Sequence, residues 1–204
     1  SGIGKAMLIY ANDYEDELPR AGMTYKTPAI GWNAATAALA YQNGGSIASN
    51  FYLLVKYAEV TPKSFLCRGD TGSIQFIPPV TGTDLAALFD FGADPLHFCS
   101  YSFHCPYPAG GGGKAYPLTT SSDPGMAVCA DPSPWQNGYE LEGKAFPDGF
   151  NDPMGDREHI KRANAQTHQN DGQNVLFADG HTSFEKKSFC GVNEDNIFTI
   201  VNTA

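Results

Sequence analysis

The segment that most constrains this chain is His168–Lys187, which reads HQNDGQNVLFADGHTSFEKK. Two runs with strand-like alternation, residues 174–178 and 181–185, flank the dipeptide Asp179-Gly180. Asp-Gly is typical of a two-residue type I′ loop, because both central residues of that turn have positive φ, which Gly adopts freely and Asp tolerates. The sequence therefore predicts an antiparallel hairpin with Asp179 and Gly180 at its turn.

A two-residue loop also fixes which residues of the two strands are opposite one another. It pairs Ala178 with His181 and, further from the turn, Val175 with Phe184. Because alternate residues of a strand point to the same side, the hairpin has one face predicted to meet the core and one polar face. The predicted core face consists of Val175, Phe177, Thr182 and Phe184. The opposite face brings His181 beside Asp179.

An amphipathic helix is predicted at the other end of the chain, over residues 1–17. Its apolar residues recur with the period of one helical face. This packing face consists of Ile3, Met7, Tyr10 and Tyr14. The helix is expected to end before Pro19, and since no N-cap is evident at Ser1, we expect it to begin upstream.

The composition favours a fold rich in loops, since charged residues make up only 17% of the 204 positions while Gly and Pro number 22 and 14. We predict one α+β domain spanning residues 1–204, with the N-terminal helix packed on an antiparallel sheet joined by long loops. Further elements are predicted as follows: helices at 33–41, from Ser49 or Asn50 to Ala58, and at 156–163, strands at 98–105 and 126–130, and a final strand or docked tail at 196–201.

The charge of the chain bears on its partners. A formal net charge of −9 without a Lys or Arg cluster argues against nucleic acid, because binding to the phosphate backbone depends on clustered cationic side chains. We therefore expect no nucleic-acid partner, and contact with a membrane only through a hydrophobic segment preceding Ser1.

The cysteines have no zinc-finger spacing. There are five of them: Cys67, Cys99, Cys105, Cys129 and Cys190. They are either buried reduced thiols or, in an oxidising compartment, up to two disulfides with one thiol left over, and the sequence leaves any pairing open.

One group of residues could carry binding chemistry, and the hairpin is what would bring its members together. The group is His168, Asp131, Asp179 and His181. Imidazole and carboxylate groups bind divalent ions, so the candidate cofactor is a divalent cation, Zn²⁺ or Ca²⁺. The structural alternative is that these residues fix the geometry of the hairpin. No nucleophile or catalytic motif accompanies them, and a non-enzymatic role is therefore predicted.

Several blocks of the sequence together resemble a known family. They are GKAMLIYANDYEDELP, SNFYLLVKYAEVTPKSFLCRGD, SYSFHCPY, AVCADPSP, GQNVLFADGHTSFE and GVNEDNIFT. In this respect the chain is similar to the planctomycete-type prepilin-like proteins that carry an H-X9-DG domain. Here ten residues separate His168 from Asp179, where the family pattern has nine.

The resemblance implies a function and a location. Members of this family resemble the pseudopilins of type II secretion, in which a prepilin leader and a hydrophobic helix precede an α+β head. It therefore implies a structural subunit, membrane-anchored in its full-length form and extracytoplasmic. Such a subunit would assemble with copies of itself or with other pilin-like subunits. The alternative is an extracytoplasmic module that binds a metal ion, or a glycan through Trp32, Trp135 and the many tyrosines.

Overall fold

The computed structural model describes residues 2–22, 31–107, 116–134 and 155–198. Within these ranges the α-helices are α1 (Gly2–Asp13), α2 (Ala37–Ala40), α3 (Ala48–Tyr57) and α4 (Arg157–Arg162). The strands are β1 (Ser102–Phe103), β2 (Ala127–Ala130), β3 (Gln173–Phe177) and β4 (Thr182–Glu185). They form one antiparallel sheet in the order β1-β2-β3-β4. The α+β class predicted from the sequence is confirmed.

Strand β3 lies inside the sheet and is buried on both faces. Leu176 packs into the core formed with α1 and α3, whereas Val175 and Phe177 pack on the opposite face with Ala130. Residues near the C-terminus cover that second face, among them Cys190, Ile197 and Phe198. The sheet is thus enclosed between a helical layer and an irregular C-terminal layer.

The β3–β4 hairpin forms as predicted, but its register differs by one residue. Val175 is opposite Ser183 and Leu176 opposite Thr182, while the amide of Phe177 donates to the carbonyl of His181. The loop therefore has three residues, 178–180, and only Gly180 in it has positive φ, at 86°. A three-residue loop with glycine in the left-handed position is a common hairpin alternative to the two-residue type I′ turn.

This register corrects the predicted core face of the hairpin. A shift of one residue moves each side chain of β4 to the other face relative to β3. Thr182 and Phe184 accordingly share a face with Leu176, not with Val175, and Phe184 is 47% exposed. His181 instead stacks on Phe177, with ring centroids 4.5 Å apart.

Helix α1 confirms the predicted N-terminal helix and most of its packing face. Ile3, Met7 and Tyr10 are buried, as expected from their spacing. The helix ends at Asp13 rather than Glu17, because Glu15 and Asp16 adopt left-handed backbone conformations with φ of 52° and 61°.

Tyr14, the fourth residue of the predicted packing face, therefore lies beyond the helix and is 37% exposed. Its ring stacks on Tyr10 with centroids 4.2 Å apart and is tilted against Tyr57 of α3. Tyr14 thus helps to hold α1 against α3 rather than against the sheet.

The centre of the helical layer is an aromatic cluster around α3. Phe51 and Tyr52 are fully buried. The ring of Phe51 contacts the ring of Phe103 of β1 edge to face, with centroids 4.9 Å apart. The rings of Tyr52 and Phe91 are also edge to face at a centroid distance of 4.9 Å. These edge-to-face contacts are the preferred geometry for aromatic pairs, and they link α3 to the sheet and to the loop preceding it.

The remaining predicted helices and strands agree with the structure to different degrees. The helices at 156–163 and 49–58 and the strand at 126–130 are confirmed within one or two residues. The predicted helix at 33–41 is shortened to α2, and the predicted strand at 98–105 to the two residues of β1. Within the segment predicted as a final strand or docked tail at 196–201, Asn196 forms an isolated bridge with Phe189, Ile197 and Phe198 pack on the sheet without forming a strand, and residues 199–201 lie outside the described ranges. No helix in the described ranges combines the length and hydropathy required to cross a bilayer.

Gly4 provides a test of how closely α1 packs on β3. A Cβ at this position would lie 2.9 Å from Cδ1 of Leu176, whereas a Cβ at Gly2 would meet nothing within 4 Å. We expect Gly4→Val to lower the free energy of unfolding by about 1–3 kcal/mol through overpacking. Urea denaturation should show no such loss for Gly2→Val, and an equal loss in both variants would place the cause in the helix rather than in its contact with Leu176.

A second test concerns Asp90, which is buried beside the first turn of α3. Ser46 donates its hydroxyl to Oδ2 at 2.5 Å, and the amide of Phe91 donates to Oδ1 at 2.8 Å. Burial raises the pKa of Asp90 to about 7, even though these two hydrogen bonds act in the opposite direction. Because the folded protein holds this proton more tightly than the unfolded chain, stability falls as pH rises from about 4 to about 7.

We expect Asp90→Asn to remove most of this pH dependence, since the amide cannot ionise and can still bond to Ser46. The gain at pH 8 relative to the unsubstituted chain is on the order of 4 kcal/mol at most, from about 1.4 kcal/mol per pKa unit. Urea midpoints measured from pH 4 to pH 8 test this, with the exposed Asp123→Asn as the control. A variant that keeps the original slope would contradict the assignment to Asp90.

Candidate functional site

Three side chains from distant parts of the chain converge at the end of the sheet. Nε2 of His168 lies 2.8 Å from Oδ2 of Asp131 and 3.9 Å from Sγ of Cys67. The three potential ligand atoms all lie within 4.8 Å of one another. We refer to Cys67, Asp131 and His168 as the Cys-Asp-His cluster.

Asp131 is fixed where it follows β2. Its Oδ2 accepts a hydrogen bond from the backbone amide of Asn174 at 2.6 Å and another from the Asn174 side chain at 2.9 Å. The amide of Asp131 in turn donates to the carbonyl of Asn174. The carboxylate, only 1% exposed, is therefore oriented by the first residues of β3.

His168 is positioned by the segment that leads into β3. A short 3₁₀ turn, Gln166–His168, is followed by Gln169 and Asn170, both with left-handed backbone conformations. The side chain of Asn164 donates to the carbonyl of Asn170, and the Asn170 side chain donates back to the carbonyl of Asn164. This reciprocal pair closes the loop that presents His168.

The buried side chain of Gln173 anchors the same loop to the sheet. Its Nε2 donates to the carbonyls of Glu185 and Lys187, and its Oε1 accepts from the amide of Ala165. The side chains of Asn164, Asn170 and Gln173 thus hold the loop that carries His168 in one conformation.

Cys67 comes from a turn that follows the 3₁₀ helix Pro62–Phe65. This turn closely approaches the His168 segment at Gly69, where a Cβ would lie 2.6 Å from the carbonyl oxygen of Thr167. Only glycine fits so close to another backbone, so Gly69 is what allows Cys67 to reach His168. Asp70 stiffens the turn by accepting hydrogen bonds from the amides of Gly72 and Ser73.

The electrostatic environment keeps the Cys67 thiol protonated in the absence of a cation. Burial raises the pKa of this thiol, and the negative charge of Asp131 raises it further, although backbone hydrogen bonds from the turn partly oppose both effects. The imidazole of His168 is in edge-to-face contact with Phe184, and its side chain remains 28% exposed. The cluster therefore combines a buried carboxylate with an imidazole that solvent can reach.

This geometry does not match a nucleophile–histidine–carboxylate relay. Such a relay needs the nucleophile on one imidazole nitrogen and the carboxylate on the other. Here Cys67 and Asp131 both approach Nε2 of His168. Activation of a cysteine nucleophile also requires a lowered thiol pKa, whereas that of Cys67 is raised. Convergence of three donor atoms on one point is instead the arrangement that suits a metal ion.

Of the four residues predicted to form a metal site, the structure brings two together. Asp131 and His168 are in contact, while Asp179 and His181 lie at the opposite end of β3, beside the hairpin turn. There Nδ1 of His181 lies 2.5 Å from Oδ1 of Asp179, which also accepts a hydrogen bond from the His181 amide. These hydrogen bonds lower the pKa of the exposed Asp179. The pair closes the turn, as the structural alternative anticipated.

Cys67 is the member of the cluster that sequence reasoning missed. It lies 101 positions before His168, and its spacing to the other cysteines gives no metal-binding pattern. The only local indication was Gly69 in Cys-Arg-Gly-Asp. This glycine indicates a turn, but it does not indicate which other segment of the chain the turn contacts. All five cysteines are free thiols, so neither of the disulfides considered from the sequence is formed.

Of the aromatic residues considered for glycan binding, Tyr14 and Tyr57 are exposed and in contact, with ring centroids 5.4 Å apart. Trp32 is half-buried and packs edge to face on Phe76, while Trp135 lies outside the described residues. In comparisons with known proteins, no family model, curated protein or solved structure matches this chain.

The role of Asp131 in holding the sheet is directly testable. Asp131→Ala removes the acceptor for the Asn174 amide and for His168, so we expect it to lower the free energy of unfolding by about 2–4 kcal/mol. Asp179→Ala at the exposed turn is the matched carboxylate control, and its effect should be much smaller. Chemical denaturation measures both, and equal losses would show that Asp131 has no special structural role.

Proposed function

We propose that this chain is the globular head of a pilin-like or pseudopilin-like structural subunit, which acts by assembling with copies of itself or with related subunits. The proposal includes an extracytoplasmic location and attachment to the membrane through a hydrophobic segment outside this sequence. It rests first on the blocks of sequence that resemble prepilin-like proteins with an H-X9-DG domain. The structure adds one supporting observation: one side of α1 packs on the sheet, and the other side is exposed.

The inner side of α1 is fully used in packing. Gly4 and Met7 lie against Leu176, Val128 and the hairpin loop, and Tyr10 packs towards α3. An N-terminal helix laid on an antiparallel sheet is the arrangement that a pilin-type head requires.

The outer side of α1 carries an apolar residue that the rest of the described chain leaves largely uncovered. Ile9 is 59% exposed, next to the polar residues Lys5 and Asn12, whereas Leu8, 42% exposed, lies beside Gly180 of the hairpin loop. Single exposed apolar residues are common on protein surfaces. An exposed isoleucine on the helix that pilin-type subunits use for assembly is nevertheless consistent with a contact between subunits.

A metal-binding module is the second candidate function, and the Cys-Asp-His cluster is the observation that favours it. The cluster lies where β2 and β3 meet, whereas the outer side of α1 faces away from the sheet. Binding of an ion there is compatible with a structural role for the whole subunit.

The assembly proposal is tested by electron microscopy of the native full-length protein, with sedimentation to quantify assembled material. We expect filaments or membrane-attached oligomers, and we expect Ile9→Asp to reduce the assembled fraction severalfold because the charge would be desolvated at the contact. Ile77→Asp is the matched control, since Ile77 is 73% exposed on a loop outside α1.

Circular dichroism should show an unchanged fold for both variants, because neither side chain is buried. Native protein found only as soluble monomers would overturn the proposal. Equal loss of assembly in both variants would show that α1 is not the contact.

A further inference from the structure

We propose that the Cys-Asp-His cluster is a zinc site, in which Sγ of Cys67, a carboxylate oxygen of Asp131 and Nε2 of His168 are three ligands. This inference rests on the second candidate function, metal binding at this cluster, and does not depend on the assembly proposal. The fourth position of a tetrahedral ion would be open to water, because His168 lies at the solvent-accessible edge of the cluster.

The distances between the three ligand atoms are close to those of a tetrahedral zinc site. Bond lengths of about 2.3 Å to sulfur and about 2.0–2.2 Å to nitrogen and oxygen give a tetrahedral N···O separation of about 3.4 Å and an N···S separation of about 3.6 Å. The observed separations are 2.8 Å and 3.9 Å, respectively. Replacing the hydrogen bond between His168 and Asp131 with a shared ion therefore lengthens the N···O separation by about 0.6 Å and shortens the N···S separation by about 0.3 Å.

The charges also favour a divalent ion. Upon binding, the Cys67 thiol loses its proton to solvent, and His168 coordinates as the neutral imidazole. One thiolate and one carboxylate then balance the two positive charges of the ion. Among the described residues, the ion pairs give Asp131 no partner other than His168, so no Lys or Arg competes with the metal for this buried carboxylate.

The chemical types of the three ligand atoms, sulfur, oxygen and nitrogen, indicate which metal ion the cluster suits. Thiolate and imidazole ligands suit zinc, whereas Ca²⁺ takes six to eight oxygen ligands, which this cluster does not offer. Of the two ions considered from the sequence, the cluster fits Zn²⁺ and not Ca²⁺.

Asn174 is a positioning residue for the ligand Asp131. Its backbone amide holds Oδ2 of Asp131 at 2.6 Å, and that bond can persist when the oxygen also binds a metal. Hydrogen bonds of this kind orient metal ligands and strengthen binding. The ligand carboxylate is thus already fixed before an ion arrives.

The experiment uses the purified, reduced chain after treatment with a chelator. Titration with Zn²⁺ should yield one tightly held ion per chain by atomic emission, together with an increase in melting temperature. Titration with Co²⁺ should produce the intense thiolate-to-cobalt absorption and the visible bands of a tetrahedral site. The Co²⁺ spectrum tests the thiolate ligand in the unsubstituted protein and so does not depend on how any variant folds.

Zinc binding by substituted proteins identifies which residues are the ligands. Cys67→Ser and His168→Ala should each weaken zinc binding by about tenfold or more and abolish the thiolate band or alter its spectrum. Cys105→Ser, another half-buried thiol, and His181→Ala, at the hairpin turn, are the matched controls and should leave binding unchanged. Absence of stoichiometric zinc, absence of the thiolate band, or zinc binding that is lost in His181→Ala but retained in Cys67→Ser would each overturn the proposal.

Discussion

The structure depends most on the burial of β3 between two layers. A strand hydrogen-bonded on both edges and packed on both faces cannot shift without disrupting the helical core at Leu176 and the C-terminal layer at Val175 and Phe177. The two ends of this strand also carry the polar features that distinguish the molecule. At its start, Asn174 binds Asp131, and after its end, Gly180 turns the chain into β4. One rigid strand therefore positions both the Cys-Asp-His cluster and the hairpin tip.

Local sequence patterns were sufficient to predict the elements that are determined locally. The spacing of Ile3, Met7 and Tyr10 identified the buried face of α1, because helical periodicity is a property of the helix itself. The hairpin was also predicted, but its register was wrong by one residue. Asp-Gly is compatible with both a two-residue and a three-residue loop, and the register that forms places His181 opposite Phe177, where the two rings stack. The end of α1 was missed because Glu15 and Asp16 adopt conformations that non-glycine residues rarely take.

The candidate site was predictable only where its members belong to neighbouring elements. Asp131 and His168 were grouped because the hairpin was expected to bring them together, whereas in the structure Asp131 follows β2 and His168 precedes β3, and these two strands pair with each other. Cys67 reaches them through a turn whose approach is set by the missing side chain of Gly69, and nothing in the surrounding sequence specifies that contact. The same reasoning explains why Asp179 and His181 were grouped with the site: they share the hairpin, but the length of β3 separates them from Asn174.

Asp131 has two roles that do not conflict. In the absence of an ion, its Oδ2 accepts from Asn174 and pairs with His168, which satisfies a buried carboxylate that would otherwise be costly to desolvate. With an ion present, the hydrogen bonds that link Asp131, His168 and Cys67 and the 3.3 Å contact between the Asn174 side chain and Nε2 of His168 would be exchanged for coordination, while the bond from the Asn174 amide to Asp131 can remain. The free-energy cost of preparing the site is thus part of the cost of folding the sheet. Because the same carboxylate joins β2 to β3, an ion bound at the cluster would stabilise the pairing of these two strands.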